Sequence, residues 1–366
     1  MAKLVDTSLT ICGVTLSNPL ILAAGPYSRD SETLARAVKA GFGAVTTKTI
    51  RLAAARNPCP NVAIIGRETL VNAEKWSDLP LKTWIEHGIP ETKLLGVPLI
   101  ASVGSTKKEI QKIAPLVEEA GADFVEIVSY DAHQVLPMLK AAKSNVNIPV
   151  IVKVSANWQN LTKIAVKAER SGADAISAID SIGPVLAIDV ETGKPYLGSA
   201  RGEGWLSGGA IHSIAVKTVA DIARKVKIPV IGIGGVTRGR DVVEMIMAGA
   251  QCVELCTAPI IHGLKVVDRT KQELVEFMEH KKYASLQEFR GIALGKIQNQ
   301  TTENKQKLKP NIDRKKCTLC GLCANLCPNQ ALAIEKDHAL LDKNKCLSCG
   351  LCYSVCSPHA ITLLRC

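Results

Sequence analysis

The chain has 366 residues, a formal net charge of +11 at pH 7, and 47% hydrophobic but only 4% aromatic residues. This length suggests about two domains with room for a substantial apolar core. No run approaches the roughly 18 apolar residues of a membrane span, and residues 1–10 lack the apolar core of a secretory signal. We therefore expect a cytoplasmic protein without a membrane span. Nucleic-acid binding is not expected, because no aromatic platform or recognition motif accompanies the positive charge.

Apolar, β-branched segments recur through the chain before Gln298, as is typical of strands buried on both faces of a parallel sheet. They span residues 18–25, 43–50, 97–104, 123–130, 148–155, 174–180, 228–235 and 251–259. Helical segments lie between most of them, and several of these end in Gly, the usual C-terminal helix cap. Eight strand–helix units predict an α/β protein with a (β/α)8 barrel over residues 1–297. A doubly wound sheet is the alternative, but no Gly-x-Gly-x-x-Gly follows the first strand.

The C-terminal region contains the spacing Cys-x2-Cys-x2-Cys-x3-Cys twice. In ferredoxins with this spacing, three cysteines of each run bind one [4Fe–4S] cluster and the fourth binds the other cluster. The predicted ligand sets are Cys317, Cys320 and Cys323 with Cys356, and Cys346, Cys349 and Cys352 with Cys327. Zinc sites and disulfides are the alternatives. Zinc rarely uses three cysteines at two-residue gaps, and disulfides do not suit a chain without a secretory signal.

This pattern predicts a ferredoxin-like α+β domain with two [4Fe–4S] clusters over residues 313–366, after a linker over residues 298–312. Basic residues are concentrated just before the first cluster cysteine, at Lys305, Lys307, Lys309, Arg314, Lys315 and Lys316. They are interpreted as a solvated linker. A second hypothesis is a surface that steers an acidic electron-transfer partner, because opposite fields raise association rates.

In a (β/α)8 barrel, the active site lies at the C-terminal ends of the strands. Lys153 lies near the end of the fifth strand, and a buried ammonium there should meet a negatively charged group. A packed stem with its head in solvent is the alternative. Gly234, Gly235 and Thr257 follow the last two strands, where barrels usually bind phosphate. A phosphate, a cation and iron–sulfur clusters together indicate flavin mononucleotide (FMN).

Several segments resemble the dihydroorotate and dihydropyrimidine dehydrogenases, a superfamily of FMN-binding barrels. They are ICGVTLSNP (11–19), TTKTI (46–50), VNAEKWSDLPL (71–81), VIVKVS (150–155), LSGGAI (206–211), IGIGGV (231–236) and CTAP (256–259). Within the superfamily, the chain is most similar to the ferredoxin-tailed catalytic subunit of bacterial NAD-dependent dihydropyrimidine dehydrogenase. The resemblance implies FMN binding by Ala24, Gly25, Lys48, Thr49, Lys153, Ile179, Gly208, Gly234, Gly235, Cys256 and Thr257. It also implies that Lys153 stabilises the negative charge of the reduced flavin.

The resemblance further implies substrate binding by Asn72, and by Asp180 and Ser181, which stand where the family has an Asn-Thr pair. Asn72 belongs to a long connection, residues 51–96, which is interpreted as part of a substrate lid. A purely structural excursion is the alternative. Residues 201–204 are expected to form a flexible, Gly-rich loop on the same rim.

One loop departs from the family pattern. After the fourth strand the family has an Asn and then a Ser-Cys-Pro loop, whose cysteine, or serine in some members, moves a proton. In this chain Val128 occupies the Asn position, and the backbone passes through Tyr130, Asp131 and His133 into a helix. These three side chains, together with Lys153, are the candidate catalytic residues. Each of the three could instead be a surface residue, and Asp131 could cap the helix.

The combined prediction is an FMN-dependent iron–sulfur oxidoreductase that acts on a CH–CH bond of a small polar ring, such as a dihydropyrimidine or dihydroorotate. Electrons would pass between FMN and an external partner through two [4Fe–4S] clusters. No NAD fingerprint is visible, so that partner would be an NAD(P)H-oxidising flavoprotein subunit or a ferredoxin. The alternatives are a non-pyrimidine substrate and a non-catalytic electron-transfer subunit. The family suggests a homo- or hetero-oligomer.

Overall fold

The computed structural model describes residues 5–298 and 307–365. The chain divides into two compact units, with the boundary between Ile297 and Gln298. Within the described residues, no helix combines the length and the apolar character needed to cross a bilayer.

In the described part of the first unit, eight parallel strands close into a barrel. Strands β1 to β8 are Leu20–Leu22, Ala44–Thr46, Leu99–Gly104, Phe124–Val128, Val150–Val154, Ala175–Ala178, Val230–Ile233 and Cys252–Leu255. Each strand pairs with its neighbours in chain order, and β8 pairs with β1 through Val253 and Leu20. All eight strands lie within the apolar segments of the sequence. The predicted (β/α)8 barrel is confirmed.

Helices follow the barrel strands and pack around them. The longer ones are Ser31–Lys39, Lys107–Glu119, Ala132–Lys143, Leu161–Arg170, His212–Ala223, Gly239–Met247 and Val266–Lys281. Shorter helical segments are Pro26–Ser28, Leu81–Thr83, Trp84–Gly88, Ile89–Lys93, Ala200–Gly202, Gly209–Ile211, Thr257–His262, Leu286–Glu288 and Ile292–Gln298. The apolar outer faces of the strands and the inner faces of these helices form the main core.

The inside of the barrel changes from apolar to polar along the strands. Its lower layer is apolar and consists of Ile21, Ala44, Ile100, Phe124, Ile151, Ala175, Ile231 and Cys252. The N-terminal hairpin of Leu9–Ile11 and Val14–Leu16 packs against this layer through Ile11 and Leu16. Residues two positions further along a strand face the same side. They form a buried polar layer of Thr46, Ser102, Glu126, Lys153, Ser177 and Glu254.

An antiparallel sheet is built from the two long connections of the barrel. Its strands, in spatial order, are Ile182–Leu186, Glu203–Gly208, Thr69–Asn72 and Val62–Gly66. Trp205 pairs with Asn72, so the connection after β2 is tied to the connection after β6. Glu203 and Gly204 are strand residues, which corrects the expectation of a flexible loop over residues 201–204. Their backbone pairs with Leu186 and Val185 and places them in the sheet.

The described part of the second unit contains two small antiparallel sheets and two short helices. Leu308–Ile312 pairs with Ile361–Arg365, and Leu332–Glu335 pairs with His338–Leu341. The helices are Leu322–Asn325 and Leu351–Ser354. The strand Leu308–Ile312 falls in the stretch that the sequence predicts as linker. Its backbone pairing makes these residues part of the folded unit, while residues 299–306, including Lys305, lie outside the described residues.

Candidate active site and iron–sulfur sites

An open cavity lies at the C-terminal ends of the barrel strands and measures about 980 Å³, including its solvent-open mouth. Its lining contains every residue predicted to bind FMN, namely Ala24, Gly25, Lys48, Thr49, Lys153, Ile179, Gly208, Gly234, Gly235, Cys256 and Thr257. The predicted substrate residues Asn72, Asp180 and Ser181 line the same cavity, as does Tyr130. The fold therefore brings these side chains together from seven of the eight strands; their roles stay predictions.

Lys153 lies beneath this cavity between two buried glutamates. Its Nζ is 3.5 Å from Glu126 Oε1 and 3.6 Å from Glu254 Oε2. Lys153 is 5% exposed, and Glu126 and Glu254 are 0% and 1% exposed. Burial alone would lower the pKa of Lys153, but the two carboxylates outweigh burial and raise this pKa above its ordinary value. The ammonium therefore stays charged and has anionic partners, as the sequence predicts for a buried lysine.

The carboxylate oxygens of the two glutamates do not all accept hydrogen bonds from the described residues. Ser177 donates a hydrogen bond to Glu254 Oε1 at 3.3 Å, whereas Oε2 of both glutamates lacks a hydrogen-bond partner among the described residues. Burial raises the pKa of Glu254 from 4.5 to about 7; the charge of Lys153 opposes this increase and that of Glu126 adds to it. Sequence reasoning missed both residues. Each is a charged residue inside an apolar strand segment, as Lys153 is, which is the signal that could have marked them as unusual.

The opposite end of the cavity is lined by backbone. Gly208 and Gly235 have φ values of +86° and +69°. A β-carbon on Gly208 would lie 2.1 Å from the carbonyl oxygen of Glu68, and one on Gly235 would lie 2.6 Å from the carbonyl oxygen of Gly208. Only glycine fits at either position. Thr257 Oγ1 donates to Ser207 Oγ at 2.8 Å, so two hydroxyl groups meet at this end.

An ion pair and a group of aromatic rings occupy the mouth. Lys48 Nζ lies 2.5 Å from Glu74 Oε2, and both residues line the cavity. Tyr130 stacks on Trp205 at 4.5 Å between ring centroids and 12° between planes, and its ring is 5.1 Å from that of Trp76. Desolvation, together with the charge of Asp180, raises the pKa of Tyr130 above its ordinary value. Sequence reasoning did not assign roles to Glu74, Trp76 or Trp205.

In the second unit, two cavities are each lined by four cysteines. Cys317, Cys320, Cys323 and Cys356 line a cavity of about 370 Å³. Cys327, Cys346, Cys349 and Cys352 line one of about 410 Å³. Backbone N–H groups of Ala331 and Ala360 donate to Cys327 Sγ and Cys356 Sγ, both at 3.3 Å. Each cavity thus combines three cysteines of one run with the fourth of the other, and thiols with N–H donors suit an iron–sulfur cluster.

Both units match known families. Residues 126–278 match the family Dihydroorotate dehydrogenase, and residues 309–357 match the 4Fe-4S dicluster domain. The "Dihydroorotate dehydrogenase B (NAD(+)), catalytic subunit" of Methanothermobacter thermautotrophicus is 35% identical over 313 residues, covering 80% of this chain and 99% of the relative. Proteins of the same name from Pyrococcus horikoshii and Methanosarcina mazei are each 33% identical, over 77% and 78% of this chain and 96% and 94% of their own lengths. The chain belongs to the dihydroorotate dehydrogenase family.

As a member of the dihydroorotate dehydrogenase family, the protein is an oxidoreductase of the class that acts on CH–CH groups, with an FMN-binding barrel and an iron–sulfur domain. The predicted enzyme class and cofactor types are confirmed. The barrel cavity suits FMN: the buried ammonium of Lys153 can meet an anionic ring edge, and the glycine backbone with the Thr257 hydroxyl can hold a phosphate. The narrower likeness to dihydropyrimidine dehydrogenase stays a prediction.

Two candidate catalytic residues, Asp131 and His133, do not line the barrel cavity. Asp131 begins the helix Ala132–Lys143, and its side chain accepts a hydrogen bond from the N–H of His133 at 2.9 Å. Both side chains are exposed, and neither lines the cavity. Asp131 caps the helix and His133 is exposed on its first turn, so these positions do not favour a catalytic role for either residue, which stays a prediction. Among the three candidates of this loop, Tyr130 alone lines the cavity.

Proposed function

We propose that the chain is the catalytic subunit of an enzyme that oxidises or reduces a CH–CH bond in a small, planar, polar ring of the dihydropyrimidine or dihydroorotate type. One observation carries this proposal: a single cavity combines the residues predicted to bind FMN with Asn72, Asp180 and Ser181 at its mouth. The relatives that share the barrel are named as catalytic subunits of dihydroorotate dehydrogenase B, which supports the same substrate class.

Bound FMN would exchange a hydride with the ring carbon. Lys153 would place its charge at the edge of the flavin where negative charge develops, and Gly234, Gly235 and Thr257 would hold the phosphate. Asn72 would offer an amide to the ring, since among the described residues its side chain has only a long 3.5 Å hydrogen bond, to the carbonyl of Trp205. The aromatic rings at the mouth would exclude water from the reacting atoms.

Tyr130 is the proposed proton donor in place of the missing cysteine. Its ring lies at the mouth of the cavity, and desolvation, together with the charge of Asp180, raises the pKa of its hydroxyl. The hydroxyl is therefore neutral and a weaker acid than a free tyrosine. It can donate a hydrogen bond to the substrate and can protonate a strongly basic ring carbon, such as the one that develops when hydride is added to its neighbour. Asp180, whose charge acts on Tyr130, lines the same side and is the proposed group that orients the substrate.

Electrons would leave or enter through two [4Fe–4S] clusters, one in each four-cysteine cavity. The partner would be an NAD(P)H-oxidising flavoprotein subunit, or a ferredoxin, in a hetero-oligomer. The name of the relatives supports such a partner, because it describes a catalytic subunit of an NAD(+) enzyme. A cytoplasmic location stays a prediction.

A different planar ring is the second candidate substrate. Val128 lines the cavity where the family pattern has Asn, and the tilted ring of Trp76 and the stacked pair of Tyr130 and Trp205 add aromatic surface at the mouth. Stacking selects planar rings without reading their amide groups. This arrangement favours a ring with fewer hydrogen-bonding groups than a pyrimidine.

The test is anaerobic reoxidation of the full-length protein after reduction with dithionite. Uracil, thymine and orotate are added separately, and the flavin absorption is followed. Rapid reoxidation by one of the three would support the proposed substrate class. Reoxidation by another planar ring alone would support the second candidate. If no small molecule reoxidises the flavin while an isolated redox partner does, the chain is an electron-transfer subunit and the proposal fails.

A further inference from the structure

The buried polar layer of the barrel contains more negative than positive charge. Lys153 supplies one positive charge, and Glu126 and Glu254 face it from β4 and β8 at 3.5 Å and 3.6 Å. If both carboxylates were ionised, the three groups would carry a net charge of −1 in a layer with almost no solvent exposure. Isolated buried charge is costly. One bound proton on the two carboxyl groups makes the layer neutral.

Among the described residues, Lys153 is the cation that acts on Glu254. The thiols of Cys252, on β8, and of Cys256, just after it, lie nearby, and burial raises the pKa of each. From β6 the Ser177 hydroxyl donates to Glu254 Oε1. Thr46 Oγ1, in the same layer, lacks a hydrogen-bond partner among the described residues.

The other charged groups near this layer either act on Lys153, as Asp180 does, or lie at the mouth of the cavity, as Lys48 and Glu74 do. Asp180 raises the pKa of Lys153, as the two glutamates do, and so adds negative charge on the side of the cavity. Lys48 is paired with Glu74. Within the described part of the chain, burial and then Glu126 raise the pKa of Glu254, and Lys153 is the cation that lowers it. The carboxyl pair is thus poised to change its protonation near neutral pH.

Glu254 also lines the cavity, whereas Glu126 lies below it. A negative charge that arrives above Lys153 would therefore act directly on the carboxyl pair. We propose that Glu126 and Glu254 form a proton-storing pair that takes up one proton when the flavin held above Lys153 is reduced. The inference rests on the proposed binding of FMN at Lys153 and concerns what lies beneath it.

Protons and electrons balance in this step. The CH–CH substrate, or the electrode in the test, delivers two electrons to the flavin, and one proton enters the flavin ring with them. A second proton comes from water and forms an O–H bond with one carboxylate of the pair. The Lys153 ammonium keeps its protons, so its charge stays available to the reduced ring. When the flavin is reoxidised, the carboxyl group returns its proton to water.

The experiment is a spectroelectrochemical titration of the flavin in the full-length, FMN-loaded protein at a series of neutral and alkaline pH values. The measured quantity is the slope of the flavin reduction potential against pH. If two protons are taken up with two electrons, the reduction equilibrium changes about 100-fold per pH unit, which is about 60 mV. If one proton is taken up, it changes about tenfold, which is about 30 mV. The wild type should show the steeper slope above neutral pH. Glu254→Gln should show the shallower slope at every pH. Its flavin reduction potential should equal that of the wild type in acid and be higher in alkali.

Two further variants keep the proposal testable. Ser177→Ala removes the hydrogen bond that stabilises the Glu254 carboxylate, so the steep region should begin at a higher pH. Glu109→Gln is the matched control, because Glu109 is a buried carboxylate that pairs with Arg51 and does not line the cavity. It should leave the slope unchanged. Equal slopes in wild type and Glu254→Gln, with FMN bound to both, would overturn the inference alone. Absence of FMN binding in the wild type would instead overturn the proposed function.

Discussion

Each cysteine cavity of the second unit contains four cysteines from a short stretch, Cys317–Cys356, whereas the barrel cavity gathers residues from Ala24 to Ile260. The first kind of site depends on local spacing and on thiol ligands. The second depends on the closure of the barrel and on charges that meet in a buried layer. A change in a cysteine should therefore act on one cluster, but a change in the polar layer should act on binding, redox behaviour and stability together.

The largest effect is expected at a cysteine that joins the two runs. Cys327→Ala should remove the cluster of Cys346, Cys349 and Cys352, although Cys327 belongs to the first run, because these four line one cavity. Iron content should fall by about half, and the signal that remains should match that of Cys349→Ala. Electron paramagnetic resonance of the reduced protein checks this. Cys323→Ala is the matched control and should remove the other cluster; FMN content should be unchanged in all three.

Lys153→Met should weaken FMN binding and destabilise the barrel. The substitution leaves Glu126 and Glu254 buried without their cation, and breaking a buried ion pair costs about 3–5 kcal/mol. The flavin content of the purified protein and urea unfolding of the FMN-free form measure the two effects. Cluster content should be unchanged. A variant with normal flavin content and unchanged stability would contradict both the flavin contact and the buried ion pair proposed for Lys153.

Tyr130→Phe should slow turnover by about 100-fold or more without changing FMN content, because a positioned proton donor contributes about 100- to 10,000-fold. The phenylalanine ring keeps the stacking on Trp205 and removes only the hydroxyl. The measurement is the single-turnover rate of flavin reoxidation by the substrate found in the screen. Trp205→Phe is the control for packing and should have a smaller effect on this rate. Unchanged turnover in Tyr130→Phe would leave the proton donor to be found elsewhere.

The stability of the FMN-free protein should depend on Glu254 as the pH changes. The pKa of Glu254 is raised in the folded chain from 4.5 to about 7, so the folded state binds this proton more tightly than the unfolded state. The associated stability is present below about pH 4.5 and is lost as the pH rises to about 7. The difference in unfolding free energy between Glu254→Gln and the wild type should therefore shift in favour of the variant as the pH rises from about 4.5 to about 7. Urea unfolding at acidic and neutral pH measures the difference; equal differences at both would contradict the prediction.

The smallest effect is expected at Asp131, which caps the helix Ala132–Lys143. Asp131→Ala should lower the free energy of unfolding by about 1 kcal/mol through loss of the cap. Turnover and flavin content should stay near the wild-type values, because the side chain does not line the cavity. His133→Ala should change neither stability nor turnover. A large loss of turnover in Asp131→Ala would restore Asp131 as a catalytic candidate.

The candidates that lie outside the cavity and the residues that sequence reasoning missed share a physical cause. Asp131 and His133 follow a barrel strand, as many active-site residues do, but the first turn of a helix directs them to solvent. Glu126 and Glu254 occur singly in apolar strands, where the sequence does not tell whether a carboxylate faces the barrel interior or the helices. The meeting of Tyr130 with Trp205 depends on pairing between two connections that are far apart in the chain.

The sequence by itself determined the eight apolar strands of the barrel and the eight cysteines of the second unit. Strand periodicity and ligand spacing are short-range properties, so they can be read from neighbouring residues. Only the tertiary structure decided that Lys153 faces two glutamates rather than one or none, and that Tyr130 alone of its loop reaches the cavity. Those contacts join β4, β5 and β8 across a closed barrel. The interaction energy between buried charges depends on the distances between them, and closure of the barrel sets those distances.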